Sequence, residues 1–244
     1  MNKNRGAPVG AAEAVYCHTD VFGSSILVRI VASHLGERVL EVGAGAGFIT
    51  RELAKRGRHI VALEPTSQPH SQLVENVASL TNVVVHQQTL QSFVDEWSRT
   101  GWEMPTFDSV VYINVLEHIK DDVTELSLAK SLLAPGGRVV IVVPAHQWLF
   151  SKVDRLTGHF RRYSKKSLRD VVLAADLRAL DVHYFDSVGL IPYLLIYKWL
   201  RSTRTQGANA TVYSRLILPL SALLYRWSSG RLIGKNLIAV ALQS

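Results

Sequence analysis

The sequence has 244 residues, of which 48% are hydrophobic and 19% are charged. These values fit one domain, or one domain with an appendage, and exclude a globally disordered chain. Cys17 is the only cysteine, which excludes an intramolecular disulfide and a cysteine-rich zinc site. A reducing, cytoplasmic setting is therefore expected, and the first 20 residues lack the continuous apolar core of a signal peptide.

The charge is unevenly divided along the chain. Residues 1–150 carry 12 basic and 15 acidic side chains, whereas residues 151–244 carry 15 and 5. From Ser187 to Ser244 there are seven basic residues and no acidic residue. Because these basic residues are interleaved with apolar ones, we expect no nucleic-acid partner.

In the first 145 residues, β-rich runs alternate with segments compatible with helices. After a cap region (residues 1–35) with an amphipathic helix at about 24–35, strands are predicted at 38–42, 59–64, 82–87, 108–114 and 137–143. Helices are predicted at about 47–56, 68–80 and 119–133, with a break at APGG, residues 134–137. Continuous apolar strands separated by helices indicate a parallel sheet buried on both faces. Residues 36–145 would form its core.

The pattern changes after Pro144. An irregular basic and aromatic stretch precedes a helix capped by Ser164 and ending near Leu177, so residues 146–177 are predicted to form a loop and helix. Strands are expected at 180–186 and 236–242, with a helical insertion at 187–230 between them. Its apolar runs, 188–200 and 212–227, are interrupted by charges and prolines and are too short to span a membrane. A lid on the sheet and a contact with the membrane surface both remain open.

The strongest local motif is the glycine-rich turn after the first strand. Gly43, Gly45 and Gly47 precede a predicted helix, whose free amides can face a ligand. A dinucleotide site would have a third glycine at position 48, where this chain has Phe48. Glu64 ends the second strand, where a carboxylate can accept hydrogen bonds from both ribose hydroxyls. An NAD(P)-dependent oxidoreductase is thus the nearest enzyme alternative.

Taken together, these motifs resemble those of the class I S-adenosylmethionine-dependent methyltransferases. The resemblance rests on EVGAGAG (41–47), Glu64, FDSVVYINVLEHI (107–119) and LLAPGGRVVIVVP (132–144), in the family's order. It implies an α/β fold: a Rossmann-like, seven-stranded, mostly parallel sheet with helices on both faces, plus the C-terminal helical insertion. It also implies S-adenosyl-L-methionine as cofactor and S-adenosyl-L-homocysteine as product.

Carried over position by position, the resemblance implies a set of cofactor-binding residues. The methionyl part would be held by Glu41, Gly43, Ala44, Gly45, Gly47, Asn114 and Val115, the ribose by Glu64 with Pro65, the adenine near Thr89 and Leu90, and Tyr16 would close the pocket. The chain departs from the family at HQQTLQSF (86–93), which lacks the acidic residue that often binds the adenine amino group.

Candidate catalytic residues are few, because a methyl sulfonium is intrinsically reactive and the enzyme mainly aligns the two reactants. His118 and His146 follow the fourth and fifth strands at the carboxyl edge of the sheet, where either could act as a base. For each, packing is the competing interpretation.

The GHFRRY segment (158–163) resembles an element of a methyltransferase subgroup, D-x-x-x-G-H-x-R-R-Y, with Asp154 as its first residue. One interpretation is an anchor for an anionic substrate; the other is an ion-pair cluster that orders the loop. The predicted substrate-binding residues are His159, Arg161, Arg162, Tyr163 and Trp148.

The sequence thus predicts a single-domain methyltransferase acting on an oxygen or nitrogen of a small or medium-sized acceptor, anionic or partly apolar. The acceptor would be a specialised metabolite, a modified peptide or a lipid-linked intermediate. A non-catalytic, membrane-associated binding protein on the same fold is the alternative from another class. Both a monomer and a homodimer are compatible with the sequence, as is peripheral membrane contact through residues 188–227.

Overall fold

The computed structural model describes residues 21–100, 105–199 and 213–243. Seven strands form one sheet in the order β3-β2-β1-β4-β5-β7-β6. They are β1 (Arg38–Val42), β2 (His59–Leu63), β3 (Val83–His86), β4 (Phe107–Ile113), β5 (Leu133–Pro144), β6 (Leu177–Phe185) and β7 (Asn236–Gln243). The first five run parallel, and β7 pairs antiparallel with both β5 and β6. The predicted fold is therefore confirmed.

Helices connect the strands on both sides of the sheet. They are α1 (Val21–Val31), α2 (Phe48–Ala54), α3 (Ser67–Val77), α4 (Leu90–Thr100), α5 (Asp122–Ser131), α6 (Lys152–Leu156), α7 (Lys165–Ala174), α8 (Leu190–Tyr193) and α9 (Leu218–Ser228). Short 3-10 turns lie at Ala32–His34, Leu116–His118 and Gln147–Leu149. A π-helical segment, Leu194–Trp199, continues α8, and another, Tyr213–Ile217, leads into α9.

Both faces of the sheet are buried, as the continuous apolar strands predicted. Leu40 packs in the hydrophobic cluster on one face, while its neighbour Val39 packs in the cluster on the other. Tyr112 and Val111 divide in the same way along β4. Alternate side chains of a strand point to opposite faces, so every central strand contributes to two cores.

Two local features differ from the sequence prediction. Helix α4 was not predicted, although Leu90, Phe93 and Trp97 recur at helical spacing along it and pack on the core. Thr89 directly precedes it, and its Oγ1 accepts a hydrogen bond from Ser92 N at 3.2 Å. APGG (134–137) was expected to separate a helix from a strand, but it lies within β5. There the ladder with β4 shifts register between Phe107 and Ser109, and the irregularity accommodates the Pro-Gly-Gly run.

Candidate active site

A cavity of about 300 Å³ opens at the carboxyl ends of β1 and β4. Parallel α/β sheets place ligands at this edge, where loops from neighbouring strands converge. Its wall is formed by the glycine-rich turn and by two more distant segments: Glu41, Gly43, Ala44, Gly45, Ala46, Gly47, Phe48, Ile49, Ile113, Asn114, His118, Thr157 and His159. The cavity thus brings the predicted cofactor turn together with two of the candidate histidines.

The glycine-rich turn requires glycine at specific positions. Gly43 has φ +69°, and a Cβ on it would lie 2.5 Å from Cγ2 of Val115. Gly47 has φ +82°, and a Cβ there would lie 2.5 Å from Cδ1 of Leu73. Both glycines therefore allow a left-handed backbone and a close approach at once.

Glu64 holds the turn in place from the end of β2. One carboxylate oxygen accepts a hydrogen bond from Gly45 N at 2.9 Å, and the other accepts one from Thr66 N at 2.8 Å. The side chain is buried. Since a carboxylate has about four lone-pair positions, each oxygen can accept a further hydrogen bond from a ligand hydroxyl.

Glu41 is a second buried carboxyl group at this cavity. Its Oε2 has no hydrogen-bond partner among the residues that the structure describes. Burial raises the pKa of Glu41 to about 7. An unpartnered acceptor facing a cavity is suited to a cationic ligand group, which would ionise it.

On the second part of the cavity wall, His159 and His118 lie side by side. Their ring centroids are 4.5 Å apart and the rings are nearly perpendicular. The backbone N of Phe160 donates to the carbonyl of Glu117 at 2.8 Å, which joins the two segments that carry the histidines. Burial, with a smaller contribution from His159, lowers the pKa of His118 to about 3, so this imidazole is neutral at pH 7.

Asp154 orients His159. Its Oδ1 lies 2.9 Å from His159 Nδ1. Burial opposes ionisation of Asp154, but the hydrogen bond from His159 and the charge of Arg162 outweigh it, so its pKa lies below its ordinary value. An ionised carboxylate only accepts hydrogen bonds, so Nδ1 carries the hydrogen and Nε2 of His159 is the basic nitrogen.

A model of the methyltransferase domain family matches residues 22–182. The chain belongs to the methyltransferase family. The resemblance to class I S-adenosylmethionine-dependent methyltransferases and the prediction of an enzyme of that class are thereby confirmed. An NAD(P)-dependent oxidoreductase and a non-catalytic binding protein are not favoured. The finer GHxRRY subgroup stays a prediction.

The chain is also similar to individual known proteins. The ubiquinone biosynthesis O-methyltransferase of Xanthomonas campestris pv. campestris strain B100 is 27% identical over 169 residues, 64% of this chain and 66% of the relative. The match therefore spans slightly less than two thirds of that relative. The 1,6-didemethyltoxoflavin-N1-methyltransferase of Burkholderia thailandensis, solved with S-adenosylhomocysteine, has a TM-score of 0.59 at 14% identity, covering 100% of this chain and 93% of its own. The cyclase SpnF has a TM-score of 0.61 at 18% identity, covering 90% and 81%. These solved structures show the fold alone.

The methyltransferase cavity fits the family's cofactor. The glycine-rich turn offers a backbone that a ligand can approach closely, and Glu64 lies beside it with lone pairs to spare for ribose hydroxyls. The unpartnered Oε2 of Glu41 suits the methionyl ammonium. The prediction of S-adenosyl-L-methionine as cofactor is confirmed for the family.

Other predicted cofactor residues lie around this cavity rather than on its wall. Val115 packs against Gly43, and Pro65 is exposed beside Glu64. Thr89 is exposed at the start of α4, while the Leu90 side chain is in the core, which leaves only its backbone for a cofactor contact. Tyr16 lies outside the described residues.

Three of the predicted substrate-binding residues are structural in the methyltransferase. Arg162 is buried and pairs with Asp154 at 2.8 Å, and Arg161 pairs with Asp122 at 2.5 Å. Tyr163 is 1% exposed and donates to Asp122 Oδ2 at 2.7 Å. The predicted free guanidinium for an anionic substrate is therefore wrong, because carboxylates of the chain itself neutralise both arginines. His159 alone of this segment's predicted residues lines the cavity.

His146 and Trp148 also lie away from the cavity wall. His146 Nε2 is 3.0 Å from the carbonyl oxygen of Gly234, and its ring stacks on Tyr184 at 5.1 Å. Trp148 is 53% exposed beside it. Packing at the β5–β7 junction accounts for this buried ring and favours the packing interpretation of His146 over the catalytic one.

Sequence reasoning missed several residues of the site. Ala46, Phe48, Ile49, Ile113 and Thr157 line the cavity, and Glu117 is fully buried behind His118. Neither carboxylate oxygen of Glu117 has a hydrogen-bond partner on another described residue. Burial raises the pKa of Glu117 to about 8. The LEHI motif placed Glu117 next to His118, but its burial depends on tertiary packing.

Proposed function

We propose that the protein transfers a methyl group from S-adenosyl-L-methionine to a hydroxyl oxygen of a small or medium-sized acceptor with an apolar portion. The observation that carries the proposal is the pairing of His159 with Asp154 on the wall of the cofactor cavity. A hydroxyl group must lose a proton as it is methylated, so a positioned base is useful there. The name of the Xanthomonas relative, an O-methyltransferase, supports the same choice.

Separate residues of the cavity bind the cofactor and accept the proton. When bound, the cofactor supplies an electrophilic methyl group. Glu64 and the glycine-rich turn hold its nucleoside, and Glu41 holds the methionyl ammonium. His159 Nε2 accepts the acceptor's proton, and Asp154 stabilises the resulting imidazolium through Nδ1. His118 stays neutral and limits the rotation of the His159 ring.

The apolar portion of the acceptor is inferred from the absence of basic side chains among the described residues of the cavity wall. Among the residues that the structure describes on the cavity wall there is no lysine or arginine, and Arg161 and Arg162 are paired with carboxylates. Phe48, Ile49 and Ile113 contribute apolar surface instead. The alternative of an anionic acceptor anchored by arginine therefore loses its support.

The test is methyl transfer from labelled S-adenosyl-L-methionine to catechols carrying a short or a long alkyl chain, with matched alkylamines as competing acceptors. We expect a methyl ether as product and a lower KM for the longer chain. His159→Gln should lower kcat by about 10²–10⁴-fold, with unchanged affinity for S-adenosylhomocysteine.

The pH profile of this variant separates a base from a packing residue. Without its base, His159→Gln should gain rate with pH as the catechol ionises in solution, whereas the wild type should depend less on pH. Thr157→Ser, on the same wall, is the matched control and should keep its activity. Exclusive methylation of the amines, or an unchanged kcat in His159→Gln, would overturn the proposal.

A further inference from the structure

The insertion between β6 and β7 exposes a row of apolar residues, although Leu190 and Leu218 of the same helices are buried. On α8 and its π-helical continuation the exposed residues recur every four residues. On α9 and the π-helical segment that leads into it they recur at positions i, i+4, i+7 and i+11. We call these the outward stripe: Ile191, Leu195, Trp199, Leu216, Leu220, Leu223 and Trp227. Trp199 and Trp227 are each 80% exposed. This spacing places the side chains of each helix on one face.

Two serines of the same helical segments face inwards, while their arginines lie at the surface. Ser221 is 1% exposed; its Oγ donates to Asp186 Oδ1 at 2.6 Å and accepts from Val188 N at 3.2 Å. Ser214, one turn before α9, is 3% exposed. A helix of a water-soluble surface has the opposite arrangement, with its polar face outwards. The outward stripe therefore suits an apolar environment.

The positive charge of the insertion favours an anionic lipid surface over a second copy of this chain as the partner of the outward stripe. The seven basic residues between Ser187 and Ser244 equal the whole net charge of +7, because the rest of the chain has equal numbers of acidic and basic residues. Arg215, Arg226 and Arg231 are exposed around the outward stripe. A second copy of this chain would bring like charges together at such an interface. An anionic lipid surface would instead attract them.

We propose that the outward stripe docks onto the surface of an anionic lipid bilayer, with the two helices lying in the interface. No helix in the described part of the chain is long and apolar enough to cross a membrane. Exposed tryptophans at helix ends flanked by arginine are the side chains that favour the boundary between headgroups and acyl chains.

The docking surface is connected to the active site through Tyr193. This residue ends α8, and its hydroxyl donates to Asp154 Oδ2 at 3.0 Å, while Oδ1 of the same carboxylate holds His159. A bilayer bound to the outward stripe would thus lie one helix away from the residue that positions the base. This step rests on the proposed function, and it makes a membrane-embedded acceptor, with its hydroxyl group at the interface, the substrate class.

The experiment is cosedimentation of the full chain with phosphatidylcholine vesicles, with and without phosphatidylglycerol. We expect binding only to the anionic vesicles, weakened by raised salt. Leu223→Gln combined with Trp227→Gln should reduce binding by about tenfold or more, since both side chains would leave the acyl boundary. Arg215→Gln combined with Arg226→Gln should abolish the preference for phosphatidylglycerol.

Leu173→Gln is the matched control, because Leu173 is 73% exposed on α7, away from the insertion. It should bind vesicles like the wild type. Equal binding by the Leu223/Trp227 variant and the wild type would overturn the proposal, as would a dimer that dissociates in that variant without any vesicle binding. Methyl transfer to the soluble catechols, measured in parallel without vesicles, separates a failure here from a failure of the proposed function, because vesicle binding needs no turnover.

Discussion

His159 donates its Nδ1 hydrogen to Asp154 over 2.9 Å, and this carboxylate is held from the other side by the hydroxyl of Tyr193. Ser151 N and Oγ also donate to Asp154 Oδ2, at 2.7 and 2.8 Å. The histidine that faces the cofactor cavity is therefore oriented by a carboxylate that Ser151, Arg162 and, from the helical insertion, Tyr193 hold together.

Replacing the tyrosine hydroxyl tests this dependence. Tyr193→Phe removes the hydrogen bond to Asp154 and also the acceptor of Arg162 Nη2, which should cost about 1.5–3 kcal/mol of stability. We expect kcat to fall several-fold with little change in affinity for S-adenosylhomocysteine. Tyr225→Phe, in the same insertion, should change neither value. Loss of stability with an unchanged kcat would show that Tyr193 anchors the fold without positioning the base.

Two glycines of the cofactor turn should respond differently to alanine. At Gly43 the new methyl group would meet Val115 at 2.5 Å, whereas at Gly45 it would meet no atom within 4 Å. Both glycines have positive φ, a conformation in which alanine lowers the stability of the folded protein by roughly 1–2 kcal/mol. In Gly43→Ala, overpacking against Val115 should destabilise the folded protein by about 1–3 kcal/mol more.

Thermal unfolding and calorimetric titration would separate the two effects. Gly45→Ala should retain most of its stability but bind S-adenosylhomocysteine more weakly, since Gly45 lines the cavity. Equal loss of stability in both variants would mean that Val115 moves aside at little cost.

Replacing Glu64 with glutamine, which has the same shape, should weaken cofactor binding. In Glu64→Gln, one of the two side-chain atoms facing Gly45 N and Thr66 N becomes a donor, so one of those amides loses its acceptor. We expect at least about tenfold weaker binding of S-adenosylhomocysteine, since hydrogen bonds to a charged group contribute about 1.5–3 kcal/mol. Glu75→Gln, exposed on α3, is the control and should bind normally. Normal binding by Glu64→Gln would contradict its role at the ribose.

The sequence predicted what depends on local pattern. The sheet followed from five apolar runs, and the cofactor turn from the glycines at 43, 45 and 47, because backbone freedom and strand burial are visible in residue type. Helix α4 was missed although its apolar residues, Leu90, Phe93, Val94 and Trp97, recur at helical spacing and pack on the core, so this signal was present in the sequence.

The base was harder to predict, because its environment is assembled from segments distant in sequence. His159 and His118 are 41 positions apart and meet only when Phe160 pairs with Glu117. Arg162 was expected to face a ligand, but its partner Asp154 also holds His159 and Tyr193. Which cation a buried carboxylate neutralises is decided by tertiary packing rather than by spacing.

Because of Glu117, the stability of the fold falls as the pH rises from about 4.5 to about 8. Its pKa is about 8 in the folded protein, against an ordinary value of 4.5. Between these values the folded state keeps a proton that the unfolded state has lost. The stabilising contribution is therefore complete below pH 4.5 and is lost as the pH rises towards 8. The slope is at most about 1.4 kcal/mol per pH unit for one group.

Glu117→Gln removes this titration while keeping the shape of the side chain. Urea unfolding at about pH 5 and about pH 9 should show a smaller loss of stability in the variant than in the wild type. Some loss should remain, because Glu41 is also protonated in the folded state, with a pKa of about 7. Saturating S-adenosylhomocysteine should reduce that remainder, since its ammonium would pair with ionised Glu41. Glu75→Gln should follow the wild type; an identical pH dependence in Glu117→Gln would rule out a buried, protonated Glu117.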